Sequence, residues 1–122
     1  MTPQPSAKPA GRTGSEPARH SIRIEMEDGR LRYTGARGED ATVIKVRRGD
    51  TVIWQSDHGN HAVLFKSKTP FHDVGFHGHR GNPSMEAKVI GVNDEYHYAV
   101  TVVPDDGNPV VDDPVIIVND GD

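Results

Sequence analysis

The chain has 122 residues, no cysteine and a net charge of −4, which allows one domain and one core. The absent cysteines exclude disulfides, thiolate chemistry and every sulfur-based zinc site. The acidic balance excludes a global basic field for nucleic acid, and no apolar run approaches the ~20 residues needed to span a bilayer.

Residues 1–19 hold four of the nine prolines and no large apolar residue after Met1. Such a segment cannot bury enough surface to offset its ordering entropy, so a disordered, Pro-rich arm is expected there. Lys8, Arg12 and Arg19 against Glu16 make it mildly basic, at +2, which leaves −6 on the remainder. It lacks the apolar stretch of a secretory signal, and a cytoplasmic location is the expectation.

From His20 onward the pattern is β. In "SIRIEME", Ile22, Ile24 and Met26 alternate with Arg23, Glu25 and Glu27. Asp28-Gly29 is a hairpin turn dipeptide leading into "RLRY". "ATVIKV" and "DTVIWQ" follow as β-branched runs, then "NHAVLFK". A polar stretch rich in His, Gly and Pro, about 67–83, reads as an insertion. "SMEAKVIGV", "EYHYAVTVV" and "PVIIV" resume the strand pattern. The acidic pairs Asp105-Asp106 and Asp112-Asp113 read as solvated turns. No stretch carries apolar residues at helical spacing, so several short strands with turn punctuation predict an all-β, antiparallel sandwich over 20–119.

Residues 41–65, "ATVIKVRRGDTVIWQSDHGNHAVLF", resemble the front half of the cupredoxin family: a strand, a Gly-Asp turn, a strand ending in Trp54, then Asn60-His61-x-Val63. "EYHYAVTVV" resembles that family's strand with two spaced aromatics, here Tyr96 and Tyr98, and "PVIIV" its closing strand. The resemblance implies a cupredoxin-like Greek-key sandwich and places the family's copper-binding His on His61. It places the thiolate ligand on Val100 and the next His ligand on Val103, and no Met follows Met85. A type 1 copper centre needs two His and a Cys, so the expectation is a member without one. His61 is then expected at the rim, hydrogen-bonded or wet.

Five of the seven histidines, His58, His61, His72, His77 and His79, lie within 22 residues. Neutral imidazole is a common ligand for Cu, Zn and Ni, so these five form the candidate metal set. His77-x-His79 would place both rings on one side of an extended chain. "GFHGH" also resembles the His-x-His signature of Cu/Zn superoxide dismutase, but its flanking glycines predict a loop. No Gly-x-Ser-x-Gly elbow or phosphate-cradling loop occurs. The sequence reads as a non-catalytic binding or assembly module without a cofactor, contacting a protein partner or copies of itself. The alternative is a His-rich metal-binding protein (Cu2+, Zn2+ or Ni2+) for storage, sensing or metal-dependent catalysis.

Overall fold

The structure is a computed structural model that describes residues 17–84, 86–104 and 107–119. Most of the proposed arm, residues 1–16, and the pair Asp105-Asp106 lie outside the described residues. The described residues form ten strands: β1 (Arg19–Glu27), β2 (Arg30–Thr34), β3 (Val43–Val46), β4 (Thr51–Ser56), β5 (Gly59–Phe65), β6 (Gly75–Gly78), β7 (Ala87–Lys88), β8 (Asp94–Pro104), β9 (Val110–Asp112) and β10 (Val115–Val118). No helix occurs among the described residues.

The strands form two sheets. The smaller runs β2-β1-β4-β7; the larger runs β3-β10-β8-β5-β6, with β9 also paired to β8. The expected sandwich is therefore present, but its sheets are mixed: β1 lies parallel to β4, and β10 parallel to β3. The intervening chain explains this. β3 belongs to the larger sheet, so the path from β1 to β4 leaves the smaller sheet and returns, and strands joined by a crossover rather than a hairpin can run parallel.

Local chemistry sets the elements. Asp28 and Gly29 adopt φ of 55° and 77°, the left-handed pair of a two-residue hairpin, which pins Glu27 opposite Arg30. Strict alternation on β5 buries Gly59, His61, Val63 and Phe65 and turns Asn60, Ala62 and Leu64 outward. Asp50 closes the β3–β4 turn. One of its carboxylate oxygens accepts from the Ala18 amide, the other from the Arg47 amide and contacts His20 Nε2, all at 2.9 Å. This carboxylate is buried and ties the start of β1 to the turn.

The core is aromatic at its centre. Trp54 is fully buried, stacks on Phe76 at 5.7 Å, meets Phe71 and Tyr98 edge-on, and donates through Nε1 to the Tyr98 hydroxyl at 3.3 Å. The polar stretch at 67–83, expected as an insertion, is thus an integral part of the fold. It supplies Phe71 and Phe76 to the core, and its Gly75–Gly78 segment, expected as loop, is a strand paired with β5. Conversely, "SMEAKVIGV" contributes only the two-residue β7. Val89 is held instead by exchange with the β3–β4 turn, through Gly49 N–H to its carbonyl and its own N–H to Asp50 O, both 2.8 Å.

Candidate functional site

The end of the sandwich where β5 begins and β6 finishes collects three of the candidate histidines. His61 sits opposite Gly78 in the β5–β6 register and points inward with Val63 and Phe65. His77 and His79 flank Gly78, and both are exposed. The turn after β6 is fastened to this end by the Arg80 amide donating to Asn60 Oδ1 (3.1 Å) and the Gly81 amide donating to Ser56 O (2.8 Å).

His61 is only 2% exposed, and neither Nδ1 nor Nε2 has a hydrogen-bond partner. It is neither at the rim nor wet, because strand alternation carries it under the sheet. Burial depresses its pKa, since the charged imidazolium would lose its hydration; the nearby Trp54 backbone, short of the geometry of a formed hydrogen bond, offsets part of this, and His77 and His79 add to the depression. Gly78 is what admits the ring. A Cβ there would lie 2.5 Å from His61 Cε1 and 2.9 Å from the Asn82 carbonyl oxygen.

On the outer side, Asn60, Ala62, His77, His79, Thr101 and Val103 line an open depression of about 220 Å³ together with His61 and Gly78. The His77 and His79 rings lie 6.5 Å apart at 80°. His58 occupies the exposed β4–β5 turn. His72 lies in the β5–β6 connection beyond the Leu64–Gly75 pair, three residues and ~10 Å along the strand from the His61–Gly78 pair. Among the described residues, no three His, Asp or Glu side chains are grouped so as to hold a metal.

The sequence resemblance places the thiolate ligand on Val100 and the next His ligand on Val103. Val100 is fully buried on the inner face beside Tyr98 and Val102, and Val103 faces outward. Neither side chain can donate to a metal.

The larger sheet's outer face was not legible from motifs. Across β9, β8, β5 and the approach to β6 it presents Val111, Val103, Leu64 and Val74, all between 44% and 60% exposed, with Ala62 and Thr101 between them. Among the described residues no charged side chain interrupts this patch; the Lys66–Asp113 ion pair borders it. The smaller sheet's outer face is the opposite, studded with paired charges: Arg19–Glu86, Arg23–Asp57 and Arg32–Glu27.

No family model matches the sequence, and no curated protein matches it. Solved structures do match. A chain from a heme-copper terminal oxidase dimer aligns over 95% of this chain and 74% of its own, with TM-score 0.52 and 18% identity. A proline-to-phenylalanine mutant of amicyanin in its reduced state aligns over 81% and 82%, with TM-score 0.49 and 14% identity. A proline-to-glycine mutant of amicyanin, in its reduced Cu(I) form, gives TM-score 0.46 and 15% identity over the same shares. At 18% identity the first of these likenesses speaks to fold alone, and the two mixed sheets described above are those of a cupredoxin-like sandwich.

Proposed function

We propose that this chain is a non-catalytic cupredoxin-like binding module, without a type 1 copper site, that docks a protein partner through the outer face of its larger sheet. The uncharged, apolar patch of Leu64, Val74, Val103 and Val111 carries this reading. An exposed apolar patch on a sheet face marks an interaction surface, and the ion-paired opposite face is the contrast expected of sheet surface left to solvent. The chemistry of the patch selects a partner surface that is itself apolar and uncharged, because a charge buried against it would find no counterion. A metal centre built within one chain on all five candidate histidines has less support, since His72 sits at the far end of the β5–β6 pair.

Cross-linking of the full chain in its native cells, with the linked lysines mapped, tests this. Partner links are expected at Lys66, beside the patch, and are expected to disappear in a Leu64→Asp/Val111→Asp variant that still folds. Links concentrated at Lys88 on the smaller sheet, or persisting in that variant, would overturn the reading.

A further inference from the structure

We propose that His77 and His79 form half of a transition-metal site, completed by the same pair of a second copy of this chain where two β6 edges meet. This does not rest on the docking face above; it rests on an edge strand and its ligands.

β6 ends the larger sheet, and its sequence Gly-Phe-His-Gly contains neither charge nor proline. Edge strands in soluble proteins are normally blunted by charge, proline or shortness. The other sheet edges described here follow that rule: β2 carries Arg30 and Arg32, β3 carries Lys45, and β7 is two residues long and carries Lys88. β6 instead carries the imidazole of His77, and that of His79 follows directly after its last residue. They are two residues apart on an extended chain, exposed on one side, with ring centroids 6.5 Å apart.

Two imidazoles are an incomplete shell for a metal that takes four ligands, and no third donor joins them within the chain among the described residues. An antiparallel meeting of two β6 edges about a two-fold axis at Gly78 would place His77 opposite His79 of the partner subunit. Directly opposed residues on one sheet face lie ~5 Å apart, so four imidazoles would come together on one surface. The depression around them is lined without any carboxylate. An all-nitrogen set of this kind suits Zn2+ or Cu2+ and not the oxygen-seeking Ca2+ or Mg2+.

Sedimentation of the untagged full chain, titrated with Zn2+ alone, decides the matter. The expected result is a dimer containing one Zn2+ per two chains, returned to monomer by EDTA. His77→Ala and His79→Ala are expected to lose the metal-dependent dimer while keeping their fold, because both side chains are exposed. His72→Ala, an exposed histidine elsewhere, is expected to dimerise like the unmodified chain. A monomer binding one Zn2+ per chain, no Zn2+ binding, a dimer that survives EDTA, or equal loss in His72→Ala would each overturn the proposal.

Discussion

His61 carries two buried ring nitrogens without partners, and its depressed pKa has a definite thermodynamic sign. A histidine kept neutral in the folded state takes up its proton more readily once unfolded. Stability is therefore unaffected well above the ordinary histidine pKa of about 6.5 and falls as pH drops below it, by at most about 1.4 kcal/mol per pH unit, until the folded pKa is reached. Urea unfolding between pH 7.5 and 5 should show this loss, and His61→Leu should flatten it; equal slopes in the two proteins would refute the assignment. Gly78→Ala should cost roughly 1–3 kcal/mol by forcing a methyl group onto the His61 ring. Combining it with His61→Ala should recover part of that loss but not all, because the Asn82 carbonyl remains in the way; full additivity of the two changes would argue against the contact.

At the scale of elements, legibility followed chemistry. β1, β2, β4 and β5 were visible because one face of each is apolar and the other polar, and the Asp28-Gly29 turn because only a few residues accept positive φ. The burial of His61 was there to be read as well: it shares parity with Val63 and Phe65 on β5. β6 was hidden because two of its four residues are glycine and the others split between core and solvent. β9 was hidden because three residues between Gly-Asn-Pro and Asp113-Pro114 carry no usable period. The Asp50 clamp was invisible, since its partners Ala18, His20 and Arg47 come from separate elements. Asp50→Ala should lower stability by roughly 2–3 kcal/mol by stranding buried amides. It should also speed hydrogen exchange at the Ala18 amide; unchanged exchange there would show that the clamp does not hold the start of β1.

The whole molecule presents two unlike outer surfaces over one core, and substitutions should sort by which side of the larger sheet they meet. Leu64→Asp and Val111→Asp face solvent and should change stability by less than about 0.5 kcal/mol. Val100→Asp lies on the inner face of the same sheet, where an unpaired carboxylate would have no hydration, and should prevent folding. Matching melting temperatures for Leu64→Asp and Val100→Asp would mean that the two faces had been misassigned.

The position of β10 has a consequence for how the chain acquires its structure. Val115–Val118 lies between β3 and β8, joining strands made early to one made late. During synthesis, β3 waits some seventy residues for its neighbour, and the larger sheet stays split until those four residues leave the ribosome. Nascent chains arrested before Val115 should be readily cleaved by protease, with resistance appearing in one step once β10 is free to insert.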